Sequence, residues 1–328
     1  MSPKPLAMRD AFLERLHHEM VVDERIFFVS ADFGSPVLDK IRANFPDRFV
    51  NVGIAEQNLI NVSAGLALEG YKVFAYAIAP FITMRCFEQI RVSLALLSQV
   101  RPMNVNLIGV GAGYSYVVSG PTHQCYEDIT IMRALPAVEV MSPSDHVVAE
   151  KMFDYCTNNM GPKYLRLDAQ VLPVIYEGGA PDLQDGFQVL REGSSLCLLA
   201  TGFMTHTALE AATELAKVGI EVGVIDLFAI SGFDEAALKK VLGSYKGLVS
   251  LEEGFRARGG VDSMLFDFLG RIGSMMRMYN IGVDPGYRFE LGSRAELHEQ
   301  VSIGVNAVVA KVRGFASSAT TPINPALS

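Results

Sequence analysis

Tryptophan is absent from the 328 residues, and the four cysteines, Cys86, Cys125, Cys156 and Cys197, include no CxxC pair. Isolated cysteines in a chain of this size exclude a disulfide framework and a thiolate zinc site, and they read as reduced thiols. No run of about 18 uncharged apolar residues marks a membrane span. The N-terminal MSPKPLAMRDAFLERLHHEM also lacks the continuous apolar region of a secretory leader. The expectation is a cytoplasmic protein with no membrane partner. Any dense basic run is missing too: 36 acidic against 28 basic residues give a net charge of −8 and a pI near 5.3. That balance argues against nucleic acid as a partner.

What is present is apolar and periodic. Half of the residues are hydrophobic and a fifth are charged, enough to bury a large core in two domains. Met8 to Met20 reads as an amphipathic helix and RIFFVSAD as a strand; KVFAYAIAPF reads as a strand leading into a helix from about Thr83. MNVNLIGVG, AVEVMSP and KYLRLD continue the strands, with helical patterns between them. This alternation predicts two α/β domains, each with a mostly parallel sheet flanked by helices. Gly, Pro and acidic residues concentrate at 172–194, so the boundary is placed there, between domains at 1–180 and 190–314. A second series follows, from SLCLLATG to GLVSLEEG. Residues 315–328 are small, polar and proline-bearing, and are expected to form a disordered tail.

One residue is out of keeping with its surroundings. In RFVNVGIAEQNLINVSAGLALEG, residues 48–70, Glu56 sits where a strand-like run gives way to a helix rich in small residues. A carboxylate there complements the helix dipole, and by itself the stretch says no more. Four further motifs change that reading: SADFGSP at 30–36, APFITMRCFEQIR at 79–91, GPTHQ at 120–124, and the later ATG, VIDLFAI, EEG and GG. With GIAEQN at 53–58, and in this order, they make residues 5–313 resemble the C-terminal half of a transketolase.

The resemblance implies a pyrimidine-binding domain over 1–180 and a transketolase C-terminal domain over 190–314. It implies thiamine diphosphate as the cofactor, with Glu56 sharing a proton with the aminopyrimidine ring. A buried carboxyl suits that work, because desolvation favours its protonated form. Either Phe81 or Phe87 stacks on the ring, and Phe81 is favoured because it directly follows a strand. Asp32 helps to order the cofactor site across a subunit interface, or is simply a turn or cap residue. His123 faces the substrate near its reacting carbon, where an imidazole can pass a proton near neutral pH. His17, His18, His146, His206 and His298 lack such a setting and read as structural or surface residues.

No GDG with a downstream Asn occurs, the pattern by which the family holds Mg2+ and the diphosphate. The resemblance therefore implies a partner, an N-terminal transketolase subunit that carries the diphosphate-binding domain and the Mg2+. A homodimer of this chain within an α2β2 assembly, acting on sugar substrates, is the expected unit. Three departures bear on the substrate. Ser119 replaces the acid before GPTHQ, Gly111 stands near the place of an upstream histidine, and Asp168 with Ala169 follows Arg166 where another arginine is expected. Arg166 reads as a substrate ligand or as a structural ion pair. A carboxylate at 168 would repel a phosphate, which predicts weak use of ordinary phosphorylated acceptors. Two other readings stay open, the β subunit of a 2-oxo acid dehydrogenase and a noncatalytic assembly or regulatory subunit.

Overall fold

The structure is a computed structural model that describes residues 4–317. Its first sheet holds β1 (Ile26–Ser30), β2 (Phe49–Asn51), β3 (Lys72–Ile78), β4 (Asn104–Val110), β5 (Glu139–Met141) and β6 (Gly161–Leu167). They lie in the order β2-β1-β3-β4-β6-β5, and every pairing is parallel. Parallel strands covered on both faces become continuous apolar runs. β4 shows this, with all seven residues buried. On one face α1 (Met8–Val22) packs Phe12 against Phe74 of β3 and against Phe153, with ring centroids 5.9 and 5.6 Å away. Ser35 caps α2 (Pro36–Asn44) by accepting from the Val37 N–H, as a serine before a helix commonly does. On the other face α3 (Glu56–Leu68) buries Leu59, Ile60, Ala64 and Ala67.

The second sheet holds β7 (Phe187–Arg191), β8 (Leu196–Ala200), β9 (Val222–Leu227), β10 (Gly247–Phe255) and β11 (Arg277–Val283), in the order β11-β10-β8-β9-β7. β7 runs antiparallel to β9 while the other pairs are parallel. β7 falls inside the stretch read from the sequence as a boundary. As a short, half-exposed edge strand next to glycines it has no periodicity to announce it. The expected tail also begins too early, since residues 315–317 end the helix Val305–Ser317. The rest of that tail, 318–328, lies outside the described residues. Among the described residues no helix is long and apolar enough to cross a membrane.

Candidate active site at the strand ends

In a parallel sheet, loops leave the C-terminal strand ends on one edge, and ligands bind in the crevice they form. The first sheet gathers its polar motifs on that edge. Asp32 follows β1, Glu56 follows β2, Phe81 follows β3, the 111–123 loop follows β4, and Asp168 follows β6.

Glu56 opens α3 and is 5% exposed. Its two oxygens accept from Arg85 Nη1 at 3.0 and 3.2 Å. The Arg85 guanidinium carbon sits 3.8 Å from the Phe81 ring centroid, and Phe81 meets the His123 ring edge-on at 5.2 Å. Glu56, Phe81 and His123 are thus one connected group. The helix expected from about Thr83 instead begins at Ala79 and passes into the π-turn Phe81–Arg85. Such turns recur at functional sites, and this one sets both Phe81 and Arg85 beside Glu56. Nothing in the sequence singles out Arg85, although it lies within APFITMRCFEQIR. His123 is half-buried, and its Nδ1 lies 3.0 Å from Thr122 Oγ1. The next ring beyond it is Tyr116, at 6.3 Å.

Other expected residues stand elsewhere. Phe87 packs against the apolar core beside α3, so of the two phenylalanines only Phe81 joins Glu56 and His123. Asp32 is exposed with φ +52° and exchanges hydrogen bonds with Asn51 at the end of β2. Ser119 is exposed on its loop. Arg166 is 2% exposed; its Nε donates to Asp128 Oδ2 at 2.7 Å and its Nη2 to the Cys125 carbonyl at 3.3 Å. The structural ion pair is what the fold builds at this buried position of β6.

Asp168 corrects the expectation of repulsion. It is buried and accepts from Arg294 Nη1 at 2.6 Å, so its charge is spent within the protein. Burial raises its pKa in spite of Arg294. Arg294 also donates from Nε and Nη2 to Glu253, at 3.0 and 2.6 Å, while His298 Nε2 lies 2.6 Å from the same carboxylate. Burial pushes the Glu253 pKa up, but Arg294 and His298 outweigh it and hold the group well below the usual carboxylate range. This cluster joins the first domain to the second. Gly113 makes room for it, since a β-carbon there would collide with the Glu253 carboxylate. At Gly111 a β-carbon would collide with the Tyr116 ring, so Tyr116 fills the space where a histidine would stand.

The start of α1 lies against the segment that follows β6 and carries a cation, Arg9. Ala7 bridges to Val171 and Met8 Sδ accepts from the Asp168 N–H. Arg9 follows, its side chain 23% exposed and paired with Asp10 at 2.8 Å. Tyr76 and Tyr116 flank it, and burial pushes the Tyr116 phenol up to about 12. This arrangement is non-local, so no sequence motif marks it.

Glu56 and the face of Phe81 suit the flat, nitrogen-edged half of thiamine diphosphate. Nothing at these strand ends suits Mg2+. Among the described residues, the group of three His or acidic donors close enough to share an ion is Glu14, His17 and His18 on α1. Lys40 and Asn44 of α2 already bond to it, on the opposite edge of the sheet from Glu56.

The chain pairs two α/β domains and gathers polar motifs at the strand ends of the first, and its relatives identify the family. Residues 4–174 match the transketolase pyrimidine binding domain and residues 186–308 the transketolase C-terminal domain; the chain belongs to the transketolase family. It is 33% identical over 265 residues to an apulose-4-phosphate transketolase subunit of Actinobacillus succinogenes, covering 81% of this chain and 84% of that one. It is 31% identical to a 6-deoxy-6-sulfo-D-fructose transketolase subunit of a Clostridium species, covering 80% of each chain. A solved split-gene transketolase, described as an inactive β4 tetramer, superposes with a TM-score of 0.82 at 29% identity, covering 95% of this chain and 98% of that one.

Proposed function

We propose that this chain is the C-terminal subunit of a split transketolase that uses thiamine diphosphate to move a two-carbon ketol unit from a ketose to an aldehyde. A separate N-terminal subunit supplies the diphosphate-binding domain and the Mg2+, in an α2β2 assembly built on a homodimer of this chain. The convergence of Glu56, Phe81 and His123 at the strand ends carries this reading. The names of the relatives, which call them transketolase subunits, and the neighbour described as an inactive tetramer of β chains support it.

When bound, thiamine diphosphate supplies an electron sink for the carbon–carbon bond change. The chain's own residues do the rest. Glu56 Oε exchanges a proton with the ring nitrogen at the pyrimidine edge. Phe81 provides the stacking face. His123, with Nδ1 beside Thr122 Oγ1, offers Nε2 to the substrate oxygen beside the reacting carbon. Asp32 is assigned to the edge of the same site, where two protomers meet. Glu56→Gln keeps the shape but cannot exchange the proton, so turnover in the two-chain complex should fall by about 10² to 10⁴. Retention of more than about a tenth of wild-type activity, with unchanged circular dichroism, would count against the role.

For the substrate we assign a sugar with an anionic distal end, reached by Arg9 in place of the missing arginine at 169. Two relatives are named for phosphorylated or sulfonated sugars, and Asp168 is already neutralised by Arg294. A charge-assisted contact is worth roughly 1.5–3 kcal/mol, about ten- to a hundredfold. Arg9→Gln should therefore raise KM for an anionic acceptor by that factor and leave the uncharged analogue unaffected. Equal losses for both acceptors would remove Arg9 from the substrate.

A further inference from the structure

We propose that Arg85 occupies the seat of the aminopyrimidine and must be displaced before cofactor can enter, which makes the Glu56–Arg85 pair an autoinhibitory contact. The inference rests on the assignment of Glu56 and Phe81 to the pyrimidine half of the site. A guanidinium is planar and delocalised, and it carries N–H donors along its edge. Arg85 lies against the Phe81 ring with its central carbon 3.8 Å from the centroid. Its Nη1 donates to both Glu56 oxygens, at 3.0 and 3.2 Å. An aminopyrimidine would make the same two contacts, a flat stack and an edge bonded to a carboxylate. At 3.8 Å nothing fits between guanidinium and ring, so the two occupants exclude one another on that face.

Arg85 is also built to leave. Its side chain is 47% exposed, against 6% for Glu56, so one partner is fixed and the other already reaches solvent. Gln57 Nε2 bonds to the Arg85 carbonyl at 3.3 Å, which tethers the backbone while the side chain swings. The exchange leaves Glu56 with a partner before and after, sparing the fold an uncompensated buried carboxylate. Its consequence is that cofactor affinity is lowered by the fraction of molecules in which the seat is covered.

The test uses the isolated chain and the neutral probe 4-amino-5-hydroxymethyl-2-methylpyrimidine, so that charge repulsion plays no part, with binding read by saturation-transfer NMR. Arg85→Met should bind the probe at least about tenfold more tightly than wild type. Adding Glu56→Gln to that variant should remove the gain. Arg85→Lys keeps the charge without the flat stack and should fall between, which also guards against misfolding of the methionine variant. Probe affinity no higher in Arg85→Met and Arg85→Lys than in wild type, at unchanged melting temperature, overturns the proposal. If that happens while Glu56→Gln still stops turnover in the two-chain complex, the pyrimidine assignment stands and the covering role of Arg85 falls. If Glu56→Gln changes neither turnover nor probe binding, the assignment itself falls.

Discussion

Arg85 and Arg294 are built alike and end in opposite states. Each guanidinium carbon sits over a phenylalanine ring, 3.8 Å from the Phe81 centroid and 3.7 Å from that of Phe203, and each group donates to a carboxylate. Arg294, however, is 5% exposed and divides its donors between Asp168 of one domain and Glu253 of the other. Arg85 faces one carboxylate and keeps half its side chain in solvent. Burial and a second partner turn the same contact from a removable cover into a bolt. The bolt ties the two domains together, and the cover lies over Phe81 at the strand ends.

The largest stability change should come from breaking the bolt. Arg294→Met leaves buried Asp168 without a cation and Glu253 with His298 as its remaining partner, and loss of one partner from a buried pair costs about 3–5 kcal/mol; urea unfolding near pH 7 would show it. A loss below about 1 kcal/mol would mean that the two domains are held by their apolar contacts alone. Arg166→Met, which strands Asp128, should fall in the same range.

Glu252 is a buried carboxylate that hydrogen-bonds to no guanidinium among the described residues. Glu252 accepts from the Asp262 N–H at 2.9 Å, its Oε2 has no hydrogen-bond partner, and burial pushes its pKa from 4.5 up to about 7. The folded chain thus holds a proton that the unfolded chain releases. The stability Glu252 contributes is complete below about pH 4.5 and is lost as pH rises through about 7, a fall on the order of 3 kcal/mol. Glu252→Gln should flatten the decline between about pH 5 and 8. Unfolding curves at both pH values that shift equally in wild type and variant would contradict it. The smallest effect belongs to the cover itself. Arg85→Met should cost less than Arg294→Met, because it unpairs one carboxylate from a partner that is already half in solvent, and a loss comparable to that of Arg294→Met would erase the distinction.

The sequence makes the strands legible where burial on both faces forces continuous apolar runs, as in MNVNLIGVG, and it marks Glu56, Phe81 and His123 through motifs short enough to survive as text. It hides what depends on packing. The edge strand Phe187–Arg191 has no pattern of its own. Arg294 and His298 follow the Gly-rich loops of the second domain, and nothing local says that their helix turns toward Asp168. Arg85 lies inside a legible motif, yet only the π-turn aims it at Glu56. Arg166 reads equally as ligand or ion pair until its buried pairing with Asp128 decides. Asp168 looks like a repulsive charge until its partner, 126 residues away, is seen.

The central claim is that this chain carries half of an active site. It is tested by assaying ketol transfer with thiamine diphosphate and Mg2+ for the purified chain alone and after addition of an N-terminal subunit with the diphosphate-binding motif. The expected result is no turnover from the single chain and turnover on mixing, from a complex whose mass by light scattering is that of α2β2. Robust turnover by the chain alone would contradict the claim.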